Sequence, residues 1–358
     1  MRVNALLNTH DLREESLPWM SEIREVFDEL IIFIDEKRVT PGSIARAKRI
    51  GTHVYCHSTE IAFGWDLSAM VQACHCDWVF RFDYDEQLSP EWQQEEWRQL
   101  LETTEFSHFW CPRRQLVPGG RYLNAAPWYP DFQLRLFRTN LDAVVFPSKL
   151  HDQIRVPGPG GYFQHLAIHH HVLWLLPREM RVEKARRYEE LLPGGGLGQN
   201  CLYEDYSPPT ESLPEPVKLD IASELGWMDR LSLHEMSKLS LSVNGMPQKV
   251  STSSWFWLEA EVTNGTDKSV GSFPPFPVRL AYHWVEAATR GTVIYEGNRT
   301  ALFPSVHPNR ATRYTMMIAA PAKAGEYILQ TTMVQEHVCW FESARPDILQ
   351  EFRVLVGP

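Results

Sequence analysis

The chain has 358 residues, 44% hydrophobic and 22% charged, an ordinary balance for a globular protein of about two domains. Its net charge of -10 argues against a broad nucleic-acid interface, so we expect no nucleic-acid partner. No apolar run approaches the roughly 20 residues that span a bilayer, and the first residues read as a strand rather than a secretory signal. The six cysteines are scattered, which fits a reducing, cytoplasmic location.

Apolar strands and helices alternate in the first part of the chain. The pattern predicts, in order, a strand at 3–7, a helix at 16–30, a strand at 30–34, a helix at 42–50, a strand at 52–56, a helix at 65–74 and a strand at 78–82. This rhythm is typical of an α/β fold with a mainly parallel, Rossmann-like sheet. Asp35 and Asp83 each follow one of these strands, so we expect them at the sheet edge where ligands bind.

The run 78–86 is the most informative stretch, because an apolar strand passes directly into acidic side chains. Asp83 and Asp85 are two residues apart, so on an extended chain both point to the same side. Carboxylate oxygens suit Mg²⁺ or Mn²⁺, and such ions usually bridge a protein to phosphates. The run therefore indicates a nucleotide-linked substrate, although a strand followed by a solvated acidic turn explains it too.

The chain changes character after residue 200. Four prolines within 207–216 indicate a linker. From about residue 239, short strands separated by turn residues favour a β-sandwich. We therefore predict an α/β domain over 1–200, a linker and helical connector over 201–238, and an all-β domain over 239–358.

Several stretches resemble the family-2 glycosyltransferases, whose nucleotide-sugar-binding fold is called GT-A. The run 78–86 is similar to the family's D-x-D-E block, and 128–138 resembles a P-D-x-Q-x-R-L-F-R block of one bacterial subgroup. His151-Asp152 and the run 169–171, three histidines, follow in the subgroup's order. The chain departs from the family at 36–40 and 66–69, where a Ser/Thr-Asp-Gly-Thr run and an Arg-Asn pair are often found.

The resemblance implies a metal-dependent, inverting glycosyltransferase, with Mn²⁺ or Mg²⁺ as cofactor and a nucleotide-diphosphate sugar as donor. A glycan, a lipid-linked glycan or a small hydroxyl compound would be the acceptor. In this interpretation Asp85 contacts the metal, Asp83 binds the metal or the ribose, and one histidine is a further ligand. We favour His170 over His169 for that role; the alternative is that the histidines belong to a surface strand.

Four other residues receive roles from the same resemblance. Asp152 would be the general base, with Asp131 in reserve, and Thr9 and Asp35 would hold the nucleotide base and ribose. Asp131 is alternatively a ligand of the acceptor hydroxyl. Two of the four have a simpler explanation, an Asx-turn for Asp152 and a helix cap for Thr9.

The last domain is similar to the immunoglobulin-like, carbohydrate-binding sandwich attached to some bacterial O-antigen export ATPases. The similarity lies in 277–284, 299–300 and 335–341. Tryptophans here form either a sugar platform or a core face: Trp255, Trp257, Trp284 and Trp340. Two rival functions are a non-catalytic glycan-binding protein and a metal hydrolase built on the histidine run. Peripheral membrane association and a homo-oligomer stay open.

Overall fold

A computed structural model describes residues 1–58, 67–126, 128–140, 144–146, 154–191, 193 and 209–357. They divide into two compact units. The first comprises Met1–Leu123, Asp131–Ser207 and Glu211–Leu225, and the second Asn124–Pro130, Pro208–Thr210 and Gly226–Pro358. No described helix has the length and apolar character needed to cross a membrane.

The first unit begins with alternating strands and helices and continues with strands that follow one another closely. Its strands are β1 (Val3–Thr9), β2 (Glu29–Asp35), β3 (His53–His57), β4 (Trp78–Phe82), β5 (Glu86–Leu88), β6 (His108–Val117), β7 (Arg121–Leu123), β8 (Asp131–Arg138), β9 (Gly160–Tyr162), β10 (Ile168–His170) and β11 (Thr210–Ser212). Its helices are α1 (Leu17–Val26), α2 (Ser43–Ile50), α3 (Leu67–Gln72), α4 (Glu96–Thr103), α5 (Val172–Leu175), α6 (Arg178–Leu191) and α7 (Ile221–Glu224), with 3₁₀ turns at Glu14–Ser16 and Pro90–Gln93.

These strands form one sheet in the order β11-β7-β6-β8-β4-β1-β2-β3, with β9 and β10 pairing to β6, and β5 to β10. The pairs β1–β2, β1–β4 and β2–β3 are parallel. Beyond β4 the direction changes, because β8 is antiparallel to both β4 and β6, and β7 is antiparallel to β6. The sheet is therefore mixed.

The prediction of a mainly parallel, Rossmann-like GT-A domain is wrong. Over all the described residues strand outweighs helix, at 40% against 22%. In the sheet of the first unit β8 is antiparallel to both β4 and β6, and parallel pairing is found among β1 to β4 and of β6 with the short strands β9 and β10. The reason is that an apolar run records burial and not strand direction. Gly119 and Gly120, both with positive φ, turn the chain from β6 straight into β7, and such a tight turn can join only antiparallel strands.

Both faces of the sheet are covered, which explains the continuous apolar strands. On β1, Ala5 and Leu7 belong to one buried cluster, together with helices α1 and α2. Leu6, between them, belongs to the cluster on the opposite face, with residues of α3. Neighbouring side chains of a strand point to opposite faces, so a strand covered on both sides is apolar at most positions. Polar side chains are then placed mainly at the ends of such strands.

The second unit is built of two sheets. Its elements are α8 (Leu233–Met236), β12 (Leu239–Asn244), β13 (Lys249–Ser251), β14 (Trp255–Asn264), β15 (Val278–Glu286), β16 (Thr292–Ile294), β17 (Thr300–Ala301), β18 (Arg310–Ala319), β19 (Gly325–Gln335), β20 (Cys339–Trp340), α9 (Phe341–Ala344) and β21 (Gln350–Gly357). One sheet has the order β12-β14-β18, and the other β13-β21-β19-β15-β16, with β17 on β15 and β20 on β19. Trp284 is a core residue, whereas Trp255 is 47% exposed.

Candidate functional site

Polar side chains follow the parallel strands of the first unit at their carboxyl ends. β1 is flanked by β2 and β4, so Thr9, Asp35 and the turn after Phe82 lie along the same edge of the sheet. The Thr9 hydroxyl accepts a hydrogen bond from the Asp11 N–H (3.1 Å) and donates one to the Asp11 carbonyl (3.0 Å). The side chain of Thr9 is thus engaged in a local turn.

Asp35 is buried at the end of β2, at 4% exposure. Its carboxylate accepts a hydrogen bond from the Lys37 N–H at 3.1 Å and is paired with the Arg38 guanidinium. On the neighbouring strand, His57 pairs in register with Asp35, and its Nε2 lies 3.1 Å from Asn8 Oδ1. The Asp35 carboxylate is therefore fixed in position at this edge of the sheet by an ion pair and a backbone hydrogen bond.

The acidic turn after β4 is neutralised by arginines. Asp83 Oδ1 accepts from Arg81 and its Oδ2 from Arg135, each at 2.9 Å. Burial by itself would raise the pKa of Asp83, but these two guanidiniums outweigh burial and hold it below its ordinary value. Glu86 lies beneath at 1% exposure and is paired with Arg135 at 2.6 Å and with Arg113 at 3.4 Å.

Asp85 has a different partner, the imidazole of His170. Asp85 Oδ2 and His170 Nε2 are 3.3 Å apart, and both side chains are buried. Burial would raise the pKa of Asp85, but the neighbouring His170 keeps it well below its ordinary value. The pairing arises because β10 runs antiparallel to β5, with His170 opposite Glu86, and because the His171 N–H donates to the Asp85 carbonyl at 2.8 Å.

The other two histidines of the run have separate surroundings. His169 Nε2 is 3.4 Å from Arg114 Nη1, and burial, aided by Arg114, lowers its pKa to about 3. His171 leaves the strand at the start of α5 and stacks on Trp19, with 4.4 Å between ring centroids. Burial, followed by the charge of His170, lowers the pKa of His171 to about 4. Of the three, His170 is the one whose ring nitrogen faces a carboxylate.

Asp131, at the start of β8, is surrounded by donors. Arg113 donates to its Oδ2 from Nε at 2.8 Å and from Nη2 at 2.6 Å, and Gln115 Nε2 donates to the same oxygen at 3.0 Å. Gln133 Nε2 donates to Oδ1 at 2.7 Å. Burial opposes ionisation, yet Arg113 and Gln133 lower the pKa of Asp131 below its ordinary value. A carboxylate so stabilised in its charged form is a weak base.

The residue that sequence reasoning missed is Gln115. It is fully buried on β6, and its Oε1 lies 2.5 Å from His170 Nδ1. The strands β6 and β10 are parallel and set Gln115 beside His170 in register. The sequence gives little signal for it, because Gln115 follows Arg113 and Arg114 in the strand 108–117 and nothing in that run indicates that its amide is buried.

Asp152, predicted as the general base, lies outside the described residues together with His151. Its role stays a prediction. Within the described part of the chain, no group of three or more histidine, cysteine, aspartate or glutamate side chains could hold a metal ion. The described candidate metal site therefore consists of the pair Asp85 and His170.

Comparisons with known proteins leave the family open. No family model matches the chain. Weak structural similarity, over 34% of this chain in each case, links it to a β-glucosidase of Listeria innocua (11% identity, TM-score 0.25) and to the CARDB domain of a Pyrococcus furiosus protein (18% identity, TM-score 0.23). The alignments span 16% of the β-glucosidase and 94% of the CARDB domain. A similar match to an alkylpurine DNA glycosylase of Pseudomonas fluorescens has 7% identity, a TM-score of 0.23 and 31% coverage of that chain.

Proposed function

We propose that this protein is a divalent-metal-dependent glycosyltransferase that moves a sugar from a nucleotide-diphosphate donor to a hydroxyl group of a glycan or another acceptor. The proposal is based on the site and the sequence blocks, and not on the overall fold. The observation that carries it is the Asp85–His170 pair, at the sheet edge that also holds Asp35 and Thr9. We keep the cytoplasm as the proposed compartment.

The pair fits a cation of the Mg²⁺ or Mn²⁺ type. Two ligands at right angles around an ion with bonds of about 2.1 Å lie roughly 3 Å apart, and Asp85 Oδ2 and His170 Nε2 are separated by 3.3 Å. Mg²⁺ is commonly held by one or two protein groups together with substrate phosphates. When bound, such a cation would neutralise the charge that develops on the leaving diphosphate.

The remaining residues would bind and orient the substrates. Asp35 offers a buried carboxylate at the end of β2, suited to N–H or O–H donors of a nucleoside. Asp83 forms ion pairs with Arg81 and Arg135, and these two guanidiniums place positive charge at the same turn. In this proposal Asp83 orients that turn and assists the ribose, and Asp152 is the candidate base.

The deciding experiment measures release of free nucleoside diphosphate from a panel of uridine, guanosine and thymidine diphosphate sugars, with Mn²⁺ or with a chelator. We expect nucleoside diphosphate to be released in the presence of Mn²⁺ and not in the presence of the chelator. In Asp85→Asn and His170→Gln the rate of release should fall roughly 100-fold or more. Calorimetry with Mn²⁺ should show weaker binding in both variants.

Asp77→Asn is the matched control. Asp77 precedes β4 at its opposite end, where its carboxylate accepts the Arg2 N–H at 2.7 Å. The control should keep both release and metal binding. Glycan binding by the wild-type protein, without release from any donor and without Mn²⁺ binding, would replace the proposal with the non-catalytic alternative.

A further inference from the structure

Gln115 connects the candidate metal ligand His170 to Asp131. Its side chain is fully buried, so each of its polar atoms depends on a protein partner. Gln115 Nε2 donates to Asp131 Oδ2 at 3.0 Å, and its Oε1 lies 2.5 Å from His170 Nδ1. Through these two contacts Asp131, Gln115 and His170 form a connected row, and His170 Nε2 at its end faces Asp85 Oδ2 at 3.3 Å.

Asp131 determines which way the Gln115 amide points. The Asp131 carboxylate also accepts hydrogen bonds from Arg113 and Gln133, so it is ionised and can only accept. Reversing the amide would place the Gln115 oxygen against a carboxylate oxygen, with no proton between them. The charge of Asp131 therefore imposes the orientation in which Gln115 Nε2 faces Asp131 and Oε1 faces His170.

The orientation of Gln115 in turn determines the tautomer of His170. Because Gln115 Oε1 is an acceptor, His170 Nδ1 must carry a proton in order to bond with it. In the neutral ring the lone pair is then on Nε2, which faces Asp85. Two electron-rich atoms facing each other at this separation form a site for a cation, and second-shell hydrogen bonds commonly prepare metal-binding histidines in this way.

We infer that Gln115, held by Asp131, sets the Nδ1–H tautomer of His170 and so readies its Nε2 for a divalent cation. The inference deepens the proposed function and rests on it for the cation. Gln115 and Asp131 are thus positioning residues. This gives Asp131 a role that agrees with the four hydrogen bonds it accepts better than proton abstraction does.

The test reads the tautomer directly, by ¹⁵N NMR of the histidine ring nitrogens in the metal-free protein. We expect the neutral His170 ring to be protonated on Nδ1 in the wild type. Gln115→Met removes the acceptor at similar volume, and we expect the proton to shift toward Nε2, where Asp85 can accept it. Mn²⁺ affinity should fall about 10- to 100-fold.

Gln133→Met is the matched control, because Gln133 also donates to Asp131 at 2.7 Å and has no hydrogen bond to His170. It should keep the wild-type tautomer and Mn²⁺ affinity. If Gln115→Met fails to fold, Asp131→Asn supplies the second test. An amide at this position can donate to Gln115, which lets the Gln115 amide reverse, and we expect a mixed or Nε2–H tautomer.

Two results would overturn the inference: a neutral wild-type His170 protonated on Nε2, or an unchanged tautomer in both Gln115→Met and Asp131→Asn. The proposed function fails in a distinguishable way. A protein with the expected tautomers that binds no Mn²⁺ and transfers no sugar would refute the glycosyltransferase while leaving the role of Gln115 in place.

Discussion

Two arginines decide what the acidic turn after β4 can do. Asp83 has one guanidinium on each oxygen, whereas Asp85 faces an imidazole. Two carboxylates two residues apart in the sequence therefore have different chemistry, because each takes its electrostatic partner from a different strand. Arg135 binds both Asp83 and the fully buried Glu86, so this one guanidinium joins two carboxylates of the turn.

Replacing Arg135 should therefore cost a large part of the protein's stability. Arg135→Met leaves the buried Glu86 carboxylate with the Asp83 N–H at 3.0 Å and with Arg113, at the longer distance of 3.4 Å, as its remaining ion-pair partner. Breaking a buried ion pair in this way costs about 3–5 kcal/mol. Urea unfolding of the first unit measures the loss. The double variant Glu86→Leu with Arg135→Met should recover part of it, since no lone buried charge then remains. A single variant as stable as the wild type would contradict this account.

Among the secondary-structure elements, α7 fixes the segment that leads to the candidate site through hydrogen bonds. The segment that leads into β10 is anchored by Glu224, whose Oε1 accepts the backbone N–H groups of Gln164, His165 and Leu166. Its other oxygen is 2.8 Å from His165 Nδ1. α7 is thereby attached to the segment that positions His170.

This anchor predicts a pH dependence with a definite sign. The hydrogen bond to Glu224 raises the pKa of His165, so the folded state binds the proton more tightly than the unfolded chain. The stabilisation is complete below about pH 6.5 and is lost as the pH rises through the raised value. The difference in unfolding free energy between the wild type and His165→Asn should thus be larger at pH 5.5 than at pH 8.5. His10→Asn, at an exposed position, is the control; a difference independent of pH would refute the pairing.

At the scale of the whole molecule, chain order and compact units do not coincide. The segment Asn124–Pro130 lies in the sequence between β7 and β8 of the first unit, yet it belongs to the second. Its Tyr129 is buried, and its ring packs edge-on against Phe303 with 5.5 Å between centroids. The second unit therefore includes a segment that lies about one hundred positions before its main part, which begins at Gly226.

Tyr129→Ala should consequently weaken the second unit. Removing a large buried aromatic side chain costs roughly 3 kcal/mol, and we expect faster amide hydrogen exchange around Phe303 while β1 and β2 stay protected. Trp227→Ala removes an aromatic ring of the same unit that is 56% exposed, and should change little. Faster exchange in β1 and β2 alone would show that Tyr129 supports the first unit instead.

Some of this architecture can be derived from residue patterns and some cannot. The buried strand 30–34 and the acidic turn after Phe82 are visible in the sequence, because burial leaves continuous apolar runs and a group of acidic residues interrupts such a run. The direction of β8 is not visible, since an antiparallel strand covered on both faces has the same composition as a parallel one. Because composition does not reveal strand direction, the residue pattern predicts a mainly parallel sheet where the structure has a mixed one.

Residue patterns alone indicate the apolar strands of the core and the points where charged groups interrupt them, because hydrophobic burial follows from local composition and period. Only the tertiary structure decided that Asp83 meets two arginines, that His170 rather than His169 faces Asp85, and that Gln115 stands behind it. Apart from Arg81, which lies on β4 itself, these partners come from β6, β8 and β10, far along the chain from β4. Electrostatic and hydrogen-bond interactions act over a few ångströms in space, and separation along the chain does not reveal them.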